Sequence, residues 1–246
     1  MPIQVVNIPS PDGQIDAWLH TPEGPGPWPG VILHTDIRGV RETFQRKAAA
    51  LADEGYAVLL PNLYYRVAQV PVADPRLSFQ DEGGRKVFGA LRASLSAEGL
   101  RSDHRALLGW LQAQPQVRTG QVALVGYCMS GAIAVHAAAD FPERIAVAAS
   151  FHGGNLVTDS HDSPHLRAHE LKAKLHFGHA KDDPSIPLEA IERLDQALLA
   201  AEVTFSSTRH EARHGFAVAD STTYDEAAER QHWRDLLALL RSGLPA

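Results

Sequence analysis

Cysteine is almost missing from this chain. Its 246 residues hold one, Cys128. No intrachain disulfide can form, which suits a reducing compartment. Cations are outnumbered as well, with 23 Lys and Arg against 29 Asp and Glu and a formal net charge of -6. A nucleic-acid partner would call for a basic face, so none is expected. A small anionic substrate remains compatible, because a pocket can be locally basic. No run approaches the roughly 18 apolar residues of a membrane span. The opening Met1-Pro2-Ile3-Gln4-Val5 lacks the charged and apolar regions of a signal peptide. The expectation is a cytoplasmic protein without membrane contact. Internal repeats and low-complexity tails are also lacking. What is present is ordinary for a globular chain: 44% hydrophobic and 21% charged residues, a composition that buries a sizeable core. One α/β domain spanning residues 1–246 accommodates that length.

Apolar runs at 3–8 and 15–19 flank Pro11-Asp12-Gly13 and predict an antiparallel hairpin at a sheet edge. From residue 31 strands and helices alternate. Strands are expected at 31–34, 56–60, 122–125, 145–150, 175–177 and 203–207. Helices are expected at 41–54, 101–113, 130–140, 188–201 and 224–241. This alternation argues a mostly parallel sheet with helices on both faces. Residues 62–80 have little periodicity and two prolines, Pro71 and Pro75, and read as a surface excursion of the kind that often forms pockets.

The lone cysteine stands in Val122-Ala123-Leu124-Val125-Gly126-Tyr127-Cys128-Met129-Ser130-Gly131, followed by an alanine-rich stretch. A lone cysteine is usually a small buried hydrophobe. Here four strand-like residues lead into a glycine, then the thiol, then a small residue and a helix. That is the pattern of a nucleophile elbow with Cys in place of Ser. The elbow thrusts its side chain above the sheet, so the residues two before and two after must be small; Gly126 and Ser130 are. The amides opening the following helix favour a thiolate and an oxyanion. A dinucleotide-binding reading would need a second glycine where Cys128 stands.

A thiol at its free pKa is only slightly ionised and needs a base. On this fold the order expected is nucleophile, acid, histidine. Lys181-Asp182-Asp183-Pro184-Ser185-Ile186-Pro187 follows the strand at 175–177, and Ala212-Arg213-His214-Gly215-Phe216 follows the strand at 203–207. An acid and a histidine at those strand ends stand level with the elbow.

At these residues the sequence resembles the dienelactone hydrolase family, a cysteine-using branch of the α/β-hydrolases. The matching segments are Gly126-Tyr127-Cys128-Met129-Ser130-Gly131, Asp183-Pro184-Ser185-Ile186-Pro187 and His214-Gly215-Phe216, with Gly55-Tyr56-Ala57-Val58 and Pro61-Asn62-Leu63-Tyr64 in support. The resemblance implies an α/β-hydrolase fold and hydrolysis of a small-molecule lactone or ester through a thioester, without metal or cofactor, in a monomer or homodimer. It implies Cys128 as nucleophile, His214 as base and later acid, and Asp183 as the carboxylate orienting His214. Asp183 is preferred to Asp182 because it stands four residues before Pro187. The oxyanion donors would be the amides of Ile37 and Met129. Asp36 stands where the family has a glutamate on the resting thiol, one methylene shorter. Arg85 aligns with one of two arginines that hold a substrate carboxylate, while Val218 stands at the place of the other. This points to a different substrate or to a different clamp, for which Arg38 and Arg41 are candidates.

His152, after the strand at 145–150, either lines the pocket or satisfies a loop backbone. His161, His165 and His169 recur every four residues, but Pro164 interrupts them; a polar loop is favoured over a metal site. Trp110 and Trp233 read as core. A ligand-binding protein on the same scaffold is the alternative function, against which the Cys, Asp and His set argues. A redox-sensing thiol would lack a second cysteine to resolve it.

Overall fold

Val122 to Tyr127 are buried at all six positions, and the second half of the chain is built around that strand. The computed structural model describes residues 2–244 and divides into two compact units at Thr119/Gly120.

The first unit runs β1 (Ile3–Ser10), β2 (Gly13–His20), β3 (Gly30–His34), α1 (Glu42–Asp53), β4 (Ala57–Pro61), α2 (Glu82–Ala93) and α3 (Ala97–Gln112). The expected hairpin is present: β1 and β2 pair antiparallel from Ile3↔His20 to Ser10↔Gly13. β2 pairs antiparallel with β4, and β4 parallel with β3. Both β3 and β4 are buried at every position, as continuous apolar runs demand of strands covered on two faces. Helix α1 buries Phe44, Ala48, Leu51 and Ala52, one stripe at helical spacing.

Helix α2 was not expected from the sequence. Its first turn contains Gly83 and Gly84, poor helix formers. The tertiary setting requires one of them, since a Cβ at Gly84 would lie 1.9 Å from the carbonyl oxygen of Ser78. Asp81 caps the helix by accepting from the Gly84 amide. Helix α3 begins at Ala97, ahead of the expected start, because the Ser96 side chain caps it by accepting from Gly99 N. The excursion between β4 and α2 is tied down. Arg38 donates to the carbonyls of Pro75 (3.1 Å) and Leu77 (2.7 Å). The Asn62 amide donates to Ala68 O at 2.9 Å.

The second unit runs β5 (Val122–Tyr127), α4 (Met129–Asp140), β6 (Ile145–Phe151), a 3-10 helix (Pro164–Glu170), β7 (Lys174–Asp182), α5 (Leu188–Ala200), β8 (Phe205–Arg213) and α6 (Glu226–Gly243). Its strands pair in the order β5-β6-β7-β8, all parallel. Parallel neighbours need crossover connections, so the C-terminal ends of these strands share one edge. Cys128 follows β5, His152 follows β6, Asp183 follows β7 and His214 follows β8. Helix α4 is buried on nearly all sides, and its alanines let it lie close against β5 and β6.

β8 extends well past the expected 203–207. It pairs with β7 through Asp182↔Arg213, and most of its residues are polar and exposed, so no apolar periodicity marks it. The segment read as a polar loop contains the 3-10 helix, with Pro164 at its start, where a missing N–H costs nothing. No group of three or more His, Cys, Asp or Glu among the described residues could hold a metal ion. No helix among them is long and apolar enough to cross a membrane.

Candidate active site

Cys128 sits between β5 and α4 with φ 58° and ψ -127°, a region that costs a non-glycine residue of order 1–3 kcal/mol. The surroundings enforce it. Cys128 N donates to Phe151 O at 3.0 Å, continuing the β5–β6 ladder, while its carbonyl accepts from Gly131 N (3.1 Å) and Gly154 N (3.3 Å). Gly126 is obligatory: an added Cβ would stand 2.0 Å from the carbonyl oxygen of Ser130. The residue two positions after the thiol, Ser130, is fully buried. Cys128 occupies the N-cap position of α4, and its side chain makes no capping bond. Met129 opens that helix.

Asp183 follows β7, and its side chain is fully buried. Its Oδ1 accepts from Ser185 N (2.9 Å) and Ser185 Oγ (2.6 Å), and its Oδ2 accepts from His214 Nδ1 (2.7 Å). Burial pushes the carboxyl up. The bonds to His214 and Ser185 and the charge of His214 outweigh burial and hold it below the usual carboxylate value. Asp182 is exposed.

His214 follows β8, and its carbonyl accepts from Thr223 Oγ1 at 2.5 Å. Its Nδ1 is hydrogen-bonded to Asp183, and Cys128 acts on the ring as a second partner. Burial disfavours the imidazolium, but the bonds and charges of Asp183 and Cys128 prevail and push His214 up to about 10. The ring therefore carries a proton at neutral pH. The structure thus joins His214 and Asp183 in one hydrogen-bonded pair, at the strand edge that Cys128 also occupies.

His152 is fully buried with φ 38°. Its amide donates to Gly178 O at 2.7 Å. Its ring meets the His214 ring edge-on, with centroids 5.0 Å apart, and Phe216 at 5.4 Å. Val218 is buried in the second unit.

The remaining sequence candidates lie in the first unit. Ile37 is buried just past β3. The Asp36 carboxylate is taken by Arg41 in a two-pronged ion pair (2.7 and 2.8 Å) and by the amide of Arg38 (2.9 Å). Arg85, on α2, donates to the carbonyls of Phe79 (3.2 Å) and Gln80 (2.8 Å). All three arginines named as carboxylate anchors are engaged inside the first unit, Arg85 and Arg38 with loop carbonyls and Arg41 with Asp36. Ser185 and Thr223 touch the Asp183–His214 pair and were not singled out from the sequence. The visible signal for Ser185 was its place two residues after an aspartate, a spacing at which a side chain and an amide close an Asx turn.

The profile of the dienelactone hydrolase family matches residues 15–244, a span that enters both units. A carboxymethylenebutenolidase of Pseudomonas putida is 28% identical over 244 residues, which are 98% of this chain and 98% of that protein. Among solved structures, one from Klebsiella pneumoniae titled "Putative Dienelactone Hydrolase" superposes with a TM-score of 0.85 at 26% identity and covers 97% of each chain. An acylaminoacyl peptidase of Pyrococcus horikoshii superposes with a TM-score of 0.74 at 14% identity, over 99% of this chain and 42% of that one. That likeness is one of fold alone. The architecture is the α/β-hydrolase fold, a mostly parallel sheet flanked by helices with an antiparallel N-terminal hairpin.

Proposed function

Because this chain belongs to the dienelactone hydrolase family, and is therefore a carboxylic ester hydrolase, we propose that it cleaves lactones or activated esters with Cys128 as nucleophile, His214 as proton carrier and Asp183 as its orienting carboxylate. The observation that carries this reading is His214 itself, bonded to the buried Asp183 and pushed up to about 10 by Asp183 and Cys128 together.

The thiolate of Cys128 attacks the ester carbonyl carbon. A C–S bond forms, and the carbonyl electrons become an oxyanion. The amide of Met129 at the head of α4 is one donor to that charge, and the resemblance assigns the amide of Ile37 as the other. Collapse breaks the C–O bond, and the departing alkoxide takes the Nε2 proton of His214. The now neutral His214 removes a proton from water as it attacks the thioester. Breaking the C–S bond releases the acid and restores the thiolate facing a protonated His214. A thiolate is itself a good leaving group, so strained or activated esters suit it and unactivated amides do not.

The substrate in this reading is neutral around the scissile bond. A carboxylate clamp needs a free guanidinium fork, whereas Arg85 and Arg38 hold loop carbonyls and Arg41 holds Asp36. Val218 brings no charge. The test is a panel of aryl esters and lactones in matched pairs with and without a carboxylate, run beside iodoacetamide labelling. One label per chain on Cys128, activity lost in step with labelling, and similar kcat/KM within each pair are expected. Full activity in Cys128→Ala would overturn the mechanism. A tenfold or greater preference for the carboxylate partner, removed by Arg85→Ala, would overturn the substrate reading.

A further inference from the structure

We infer that the hydroxyl of Ser185 is a positioning device for the Asp183–His214 pair, acting on the carboxylate rather than on substrate; this rests on the triad reading above. Asp183 Oδ1 receives two donors from the same residue, the amide of Ser185 at 2.9 Å and its Oγ at 2.6 Å. The amide alone would close the Asx turn, and any non-proline residue at this position would supply it. The hydroxyl is therefore additional to what the turn requires. Its single proton goes to Oδ1, which leaves Oδ2 to His214 Nδ1, while Oγ itself lies 3.4 Å from that same Nδ1.

The hydroxyl also has a close neighbour in Gly154. A Cβ added to Gly154 would stand 3.2 Å from Ser185 Oγ and 3.3 Å from Ser185 Cβ, so only a glycine leaves the Ser185 side chain its full room there. Gly154 N in turn donates to the carbonyl of Cys128 at 3.3 Å. Ser185, Asp183 and His214 thus form one hydrogen-bonded chain, while Gly154, near Ser185, is bonded to the Cys128 backbone. The loop after β6 is thereby coupled to the acid after β7. A donor on the ionised carboxylate favours that form, so the hydroxyl also keeps Asp183 charged at lower pH.

The test is the pH dependence of kcat and KM on a neutral aryl ester for Ser185→Ala and Ser185→Thr. Ser185→Ala keeps the amide and the turn and removes only the hydroxyl. Loss of one hydrogen bond to a charged group predicts a fall in kcat of roughly tenfold or more with KM unchanged. The acid limb should rise by about one pH unit. Ser185→Thr, which retains the hydroxyl, should restore both. A Ser185→Ala enzyme with the wild-type kcat and acid limb would overturn the inference. Should that variant not fold, Gly154→Ala tests the same hydroxyl by pressing on it. A raised acid limb there supports the assignment, and an unchanged one overturns it. Activity surviving in Cys128→Ala would sink the triad itself. An inactive Cys128→Ala beside an unaltered Ser185→Ala would sink only the role of Ser185.

Discussion

Replacing Gly126 by alanine tests how tightly the elbow sets its sulfur. The added methyl would lie 2.0 Å from Ser130 O, 2.4 Å from Ser130 C and 2.8 Å from Gly131 N. All three are backbone atoms in the first turn of α4, and no rotamer change relieves them. Contacts of this kind need about 3 Å or more, so the turn must move by at least about 1 Å, a displacement of the size that costs reactions about a hundredfold. Cys128 sits between the two clashing segments, and its sulfur moves with them relative to His214, which is held separately after β8. Overpacking a close-packed site also costs about 1–3 kcal/mol of stability. The expected outcome is a folded protein with a lower urea midpoint. Its kcat should fall roughly a hundredfold, and the rate of Cys128 alkylation should fall with it. Urea titration by circular dichroism, steady-state hydrolysis and alkylation kinetics on the same preparation separate the two effects. A Gly126→Ala enzyme with wild-type kcat and alkylation rate would refute the reasoning.

Other expectations concern charge and pH. With His214 near 10, hydrolysis should hold its rate through neutral pH and fall as the ring loses its proton around that value. Asp183→Asn removes the ring's anionic partner, so its alkaline limb should move to lower pH and kcat should fall by roughly a hundredfold or more; an unmoved limb would separate Asp183 from the base. For stability, the raised His214 contributes fully below its ordinary value of 6.5 and loses that contribution as pH rises through about 10. The depressed Asp183 contributes above the ordinary carboxylate value and loses it on acidification. Burial pushes both His176 and His179 down to about 4. They stay neutral when folded but take up protons in the unfolded chain, so stability should drop as pH falls from about 6.5 towards 4. His179→Leu should flatten the fall of the urea midpoint with pH, and an unchanged slope would count against this account. Arg85→Ala should alter kcat/KM equally for carboxylate and neutral esters, because its guanidinium is spent on loop carbonyls; a loss confined to carboxylate substrates would reverse that view.

Much of the framework is legible because it is written locally. Val122 to Val125 is continuously apolar, and that alone marks a strand buried on both faces. The stripe of Phe44, Ala48 and Leu51 marks a helix, and Pro11-Asp12-Gly13 between apolar runs marks a hairpin. Elements whose formation depends on distant neighbours are hidden. Helix α2 carries glycines that argue against it until Ser78 is seen pressing on Gly84. Most of β8 is polar because it has β7 on one side and solvent on much of its surface, so its last residues read as loop although they carry the chain to His214.

The same division runs through the candidate site. The sequence by itself determined which residue types stand at successive strand ends: a thiol flanked by Gly126 and Ser130, an acid before a Pro-Ser-Ile-Pro turn, and a histidine ahead of Gly215. A parallel sheet converts that order into proximity, because each crossover returns the chain to the same edge. Only the tertiary structure decided the partners of the charged and polar side chains. It directs Asp36 to Arg41, Arg38 and Arg85 to loop carbonyls, Ser185 to Asp183 and His152 to the edge of His214. Backbone conformation follows from near neighbours and burial pattern. A hydrogen bond or ring contact depends on angstrom distances between residues far apart in the chain, and those exist only once it has folded.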